Sequence, residues 1–119
     1  MNLKNIMKKT LIYHLYVSDD IDSNVVYNIH KECLKCFKHI FSNVRVTISL
    51  DDLSNTDLKN KGVQWVNDIF TGQEIEITYT KNTLYREALT FYNKVLNNFV
   101  DDKVFFMHSK GTTNFKNPN

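Results

Sequence analysis

Residues 103–113 read KVFFMHSKGTT, and this stretch decides the fold. Val104, Phe105, Phe106 and Met107 are consecutive apolar residues, too few for a helix and apolar on both faces of a pleat. Such a run predicts a strand buried on both sides in the centre of a parallel sheet. Directly after it come His108, Ser109, Lys110 and Gly111, an imidazole, a hydroxyl, an ammonium and a flexible turn at the strand's C-terminal end. In an open parallel sheet that end is the edge at which ligands bind.

Working back from this strand, Thr10 to Val17 (TLIYHLYV) is apolar or aromatic at nearly every position and predicts a second doubly buried strand, ending in Ser18, Asp19 and Asp20. From Asp22 to about Phe41, Val25, Val26, Ile29, Cys33, Cys36, Phe37 and Ile40 recur at three- and four-residue steps. That spacing predicts a helix with this stripe facing the core and Asp20, Asp22 and Ser23 in its N-terminal turn. Val44 to Leu50 (VRVTISL) alternates as a strand with one apolar face and ends in Asp51 and Asp52. Ser54 to Gly72 predicts short helices interrupted at Gly62, with Trp65 covering the sheet. Ile75 to Tyr79 is a short alternating strand, closed by Thr80, Lys81 and Asn82. Thr83 to Phe99 predicts another helix through Leu84, Ala88, Tyr92, Val95 and Phe99, and Asn114 to Asn119 a loose polar tail.

Strand, helix, strand, short helices, strand, helix, strand is the order of parallel βαβ units. Right-handed crossovers then predict an α/β fold, a three-layer Rossmann-like parallel sheet of four strands in the order 3-2-1-4 with helices on both faces. The switch point of that order falls between Ser18-Asp19-Asp20 and His108-Ser109-Lys110-Gly111. Those two clusters hold the candidate binding residues Asp19, Asp20, His108, Lys110 and Gly111. Lys110 suits a phosphate as a point charge, and Gly111 lets backbone N–H groups approach it.

The totals fit one domain over residues 1–119. Hydrophobic residues make up 42% and charged residues 24%, the balance of a globular chain. Lys and Arg number 15 against 13 acids, a net charge of +2, and the longest basic run is Lys8-Lys9. No nucleic-acid partner is expected from so even a balance. No run approaches the length of a membrane span, and the N-terminal residues lack the pattern of a signal peptide. Two cysteines without such a signal point to a reducing, cytoplasmic setting.

Several patterns have weaker claims to chemistry. Cys33 and Cys36 form a CxxC, but about three turns inside a helix rather than at its N-terminus, where a redox thiolate is stabilised, so they are expected to be small buried hydrophobes. His30, Cys33, Cys36 and His39 would spread over about half the circumference of a helix and could not close a zinc tetrahedron. Asp20-Ile21-Asp22 is a DxD, a pattern able to hold a divalent cation against a diphosphate, set against the ordinary preference of helix N-termini for acids. His14 is expected to be a hydrogen-bonded core histidine. Neither GxGxxG nor GxxxxGK[ST] occurs, which removes the phosphate cradles of dinucleotide and P-loop sites. A signalling receiver domain shares the acidic pair after the first strand and the lysine after the last. It also requires an aspartate where this chain has Thr80-Lys81-Asn82.

The run from Thr83 to Gly111, a helix leading into an aromatic-rich strand closed by His-x-Lys-Gly, resembles the N-terminal half of a glycosyltransferase-like family. The opening YHLYVSDD before a long helix is similar to the start of those proteins. The resemblance implies a GT-A-like sheet whose strand ends cradle a nucleotide-sugar or similar phosphorylated small molecule, and Asp19, His108, Lys110 and Gly111 carry over. It also implies a divalent metal, Mn or Mg. The family's acidic metal motif near the end of the central strand is replaced here by His108-Ser109-Lys110. The chain is therefore expected to bind a nucleotide-sugar and to transfer a glycosyl group only when completed by a C-terminal half or a partner. The rival expectation is a non-catalytic α/β interaction or remnant domain that self-associates through exposed apolar surface.

Overall fold

The computed structural model describes residues 8–83 and 103–109. Four strands, β1 (Lys9–Tyr16), β2 (Asn43–Leu50), β3 (Ile75–Lys81) and β4 (Lys103–His108), form one parallel sheet in the order β3-β2-β1-β4. Helices α1 (Ile21–Phe37) and α2 (Thr56–Ile69) carry the first two connections. The α/β class and the strand order are those the sequence predicts. The helix expected over Thr83–Phe99 lies, beyond Thr83, outside the described residues, and so does the polar tail.

Register fixes what each face presents. Tyr13 stands between Val46 and Met107, and Leu11 between Val44 and Phe105. On this face Leu11, Tyr13, Leu15 and Val17 join Val44, Val46, Ile48 and Leu50 in one core with Tyr27 and Leu34 of α1 and Val66 and Ile69 of α2. Burying each such aliphatic side chain stabilises the fold by roughly 1.5–3 kcal/mol. The other face is more polar: His14 stands between Thr47 and His108, and Tyr16 beside Ser49. Thr10, Ile12, His14, Thr47 and Ser49 are all buried there, and the Thr47 and Thr78 hydroxyls lie 3.2 Å apart. So β2 is buried on both faces from Val46 onward rather than on one.

Three expectations need correction. First, β4 is an edge strand, not a central one, among the described residues. Among the described residues it pairs only with β1, and Phe105 is 39% exposed. Phe105 packs against Phe41 on one face, and Phe106 stands beside Ile12 of β1 on the other. Second, Gly62 does not interrupt a helix: α2 runs through it without a break, capped by the Asn55 side chain accepting from Leu58 N at 3.1 Å.

Third, α1 is rotated from the expected stripe. It buries Ser23, Val26, Tyr27 and Leu34, and leaves Val25, Ile29, Cys33 and Cys36 exposed; Ile40, also exposed, lies beyond it in a 3-10 turn (Lys38–Ile40). The cause is a set of directional contacts on the buried side. Tyr27 stacks on Trp65 of α2 with centroids 4.2 Å apart, Lys31 pairs with Asp68 at 2.6 Å, and the Tyr13 hydroxyl meets His30 Nδ1 at 2.8 Å. Trp65 thus joins the two helices. The helix ends are tied as well, since Lys38 Nζ donates to the Ile69 carbonyl at 2.7 Å and Gln73 Nε2 to the Lys38 carbonyl at 2.8 Å. Neither described helix is long and apolar enough to cross a membrane.

Candidate functional site

The four strands end at one edge, and backbone bonds hold the ends level. Val17 N donates to Ser49 O at 3.0 Å, Asn82 N to Leu50 O at 2.7 Å, and Ser109 N to His14 O at 3.1 Å. β1 and β4 are neighbours while β2 and β3 lie on the other side of β1, so the strand order reverses between β1 and β4. A crevice at such a point is where open α/β sheets bind ligands.

The best-defined polar group at this edge is the Asp51 carboxylate. Asp51 is the first residue after β2 and Asn82 the first after β3, and Leu50 pairs with Lys81, so the two side chains emerge side by side. Asn82 Nδ2 donates to Asp51 Oδ1 at 3.0 Å, and the Tyr16 hydroxyl donates to Asp51 Oδ2 at 2.6 Å. The end of β1 is therefore linked to the ends of β2 and β3 through one carboxylate. Burial pushes the Tyr16 hydroxyl's pKa upward, and the bond to Asp51 with the charges of Asp51 and Asp20 pushes it further. Tyr16 is thus a neutral donor at physiological pH, not a phenolate. A carboxylate offers about four lone-pair directions, so Asp51 retains acceptor capacity while holding both neighbours.

The loop after β1 is fixed from several sides. Tyr16 N donates to Ser109 Oγ at 2.7 Å, a buried bond from the β1 end to the residue that follows β4. Ser23 Oγ accepts from Ser18 N at 3.3 Å, and Lys61 Nζ of α2 reaches the Ser18 carbonyl at 3.1 Å while lying over Trp65. Lys61 places a cation at this edge, where a lysine in the middle of a helix carries no sequence signal of its own.

The predicted binding residues fall as follows. Asp19 is exposed and Asp20 half-buried in the loop between β1 and α1, where Asp20 is the N-cap residue of α1 but makes no side-chain cap bond. Its charge is instead felt by the Tyr16 hydroxyl. His108, the last residue of β4, is exposed and stands beside His14. Lys110 and Gly111 lie outside the described residues. His14 itself is buried at 3% exposure, as expected. Asp19 and Asp20 thus share the edge with His108.

Among the described residues no three His, Cys, Asp or Glu side chains converge as a resident metal would require. Mg²⁺ is commonly held by one or two carboxylates completed by substrate phosphates. A small polar concavity of about 130 Å³ opens at the opposite, N-terminal edge, between Asn43–Arg45 and Glu74–Glu76. It contains none of the strand-end groups and is smaller than ordinary ligand sites.

Comparison with protein-family models, curated proteins and solved structures finds no match. The residues themselves carry the functional argument. Sequence reading missed Tyr16, Asp51, Asn82 and Ser109. A signal for three of them was available: Asp51, Asn82 and Ser109 each stand first after a strand, the same rule that selected the cluster after β1. Tyr16 had none, because a tyrosine inside an apolar run reads as core.

Proposed function

We propose that the C-terminal edge of the sheet binds a nucleotide-sugar, as the resemblance to a glycosyltransferase-like family implies. The observation that supports this reading is the Asp51 carboxylate held between Tyr16 and Asn82 at the C-terminal edge of the sheet, where the strand order reverses between β1 and β4. An oriented carboxylate accepts hydrogen bonds from ribose or sugar hydroxyls, and two neighbouring strand ends fix its direction before a ligand arrives. Asp19 and Asp20 add acceptors on the β1 side. Lys110 and the Gly111 backbone take the phosphates, as the resemblance has it. In this reading the domain binds and orients the donor, and glycosyl transfer requires groups from a further segment or a partner.

The test is a titration of isotope-labelled protein with a panel of nucleotide-sugars, with and without Mn²⁺, followed through backbone amide shifts. Saturable shifts are expected at residues 18–20, 51, 82 and 108–111. Asp51→Asn should weaken the affinity by about tenfold, equivalent to roughly 1.4 kcal/mol, and Lys110→Ala by a comparable factor. No saturable shift with any member of the panel, in protein whose amide spectrum shows it folded, overturns the proposal.

A further inference from the structure

The rotation of α1 leaves a line of apolar groups in solvent. Ile21 is 76% exposed, Val25 46%, Ile29 59% and Ile40 39%, and both free cysteines, Cys33 and Cys36, are exposed between them. Four of these residues, Ile21, Val25, Ile29 and Cys33, follow one another at four-residue steps, so they form a single stripe drifting slowly around the helix. Tyr27 and Lys31 carry the contacts to α2, and the stripe runs along the outward face and the flank away from it. Scattered exposed apolar residues are ordinary, but a contiguous stripe along a whole helix marks an interaction surface.

The charges at the two ends of the helix indicate what covers it. Asp19, Asp20 and Asp22 stand at the N-terminal end, and Lys35 and His39 at the C-terminal end, where Lys35 also lies 3.7 Å from Glu32 and Lys38 is tied to the Ile69 carbonyl. We propose that the stripe is the interface of a homodimer in which α1 packs antiparallel against α1 of a second copy, with the two-fold axis at Ile29. Ile29 is the midpoint of the helix, so a two-fold there overlaps the two helices along their full length. Each acidic end then meets the partner's basic end, and the helix dipoles oppose one another. A parallel arrangement would set acidic end against acidic end. A two-fold contact is also self-complementary by construction, so one apolar stripe is sufficient to cover itself. In this register Ile29 packs on its own copy, Val25 faces Cys33, and Ile21 faces the turn containing Cys36 and Phe37. A single helix pair about 25 Å long is a small interface, so the dimer is a concentration-dependent one. The inference does not rest on the ligand reading, because it is carried by the apolar side chains of α1 and involves neither Asp51 nor Lys110.

Two experiments test it under conditions where the protein is shown folded by circular dichroism. Sedimentation equilibrium in reducing buffer should show a reversible monomer–dimer equilibrium in the micromolar to high-micromolar range. Ile29→Lys, which places two like charges on the two-fold in an already exposed position, should shift it at least tenfold toward monomer. The register is read by oxidation of Val25→Cys combined with Cys36→Ser. Residues 25 and 33 are two turns apart on one helix and cannot bridge within a chain, so a covalent dimer that is lost with the added Cys33→Ser and does not form in Cys36→Ser alone reports the antiparallel pairing. A monomer at all accessible concentrations, a dimer indifferent to Ile29→Lys, or cross-linking that survives Cys33→Ser overturns the proposal.

Discussion

Gly62 shows how one residue can read as a break and act as a contact. It lies inside α2, where a Cβ would meet Ile48 Cδ1 at 3.0 Å and Ile48 Cγ2 and Val17 Cγ2 at 3.1 Å. The absence of a side chain lets the helix sit close over the ends of β1 and β2. Alanine there would gain about 1 kcal/mol of helix propensity. Against this, Ile48 and Val17 are fully buried and β-branched, with little freedom at χ1 to move aside. Overpacking of this kind typically costs about 1–3 kcal/mol, so the packing cost exceeds the propensity gain. Gly62→Ala is expected to lower stability by about 1 kcal/mol in urea unfolding, and Gly62→Leu by considerably more. An alanine variant more stable than the parent would show that α2 can lift from the sheet at no cost. Sequence reading missed this because glycine's rarity in helices is a local rule, and the closeness of α2 to the sheet is a tertiary fact.

At the scale of elements, the strands were legible and the rotation of α1 was not. Apolar runs and alternation located β1, β2, β3 and β4 to within two residues at each end, because a two-residue period leaves only two choices of face. A helix can turn continuously about its axis, and here both candidate faces carried apolar residues. What chose between them was polar: Tyr13 to His30, Lys31 to Asp68, and Tyr27 to Asp68 at 3.0 Å. The candidate site was legible in the same uneven way, its position at the strand ends being readable and the carboxylate that organises it not. The Tyr13–His30 contact also gives the α1–β1 packing a pH dependence. Burial, and then the charge of His108, lowers the His30 pKa, and Nδ1 can accept from the Tyr13 hydroxyl only while it is unprotonated. As pH falls below about 6.5 the unfolded chain takes up a proton that the native His30 resists, so stability is lost on acidification until the native pKa is passed. His30 is only half-buried, and solvent screening keeps the slope well below the one-proton limit of about 1.4 kcal/mol per pH unit. Urea unfolding between pH 7 and 5, above the range where carboxylates titrate, should show this loss, and His30→Gln should remove it. An unchanged slope in that variant would assign the effect to another histidine.

Across the whole molecule, order in the sheet sets an order of stability. β1 is bonded on both sides, to β2 and β4, and β2 likewise to β1 and β3. Both are buried along nearly their full length. Among the described residues β3 and β4 each have one strand neighbour, and their side chains are mostly half-buried or exposed. Opening an edge strand releases one ladder and little apolar area, whereas opening β1 dismantles the core that α1 and α2 share. Native-state hydrogen exchange should therefore find the amides of Leu11 to Leu15 and Val46 to Ile48 exchanging only through global unfolding. The β4 amides that donate to β1 should exchange through a smaller opening, at least tenfold faster, a difference of about 1.4 kcal/mol or more. The comparison is informative in both directions, because protection depends on what lies beyond the edge as well as on the strand itself. If β4 exchanges as slowly as β1 in dilute protein, a further strand or a bound partner must cover its outer edge. If protection of α1 rises with protein concentration while that of β4 does not, the added contact is on the helix stripe, and the sheet edge remains open.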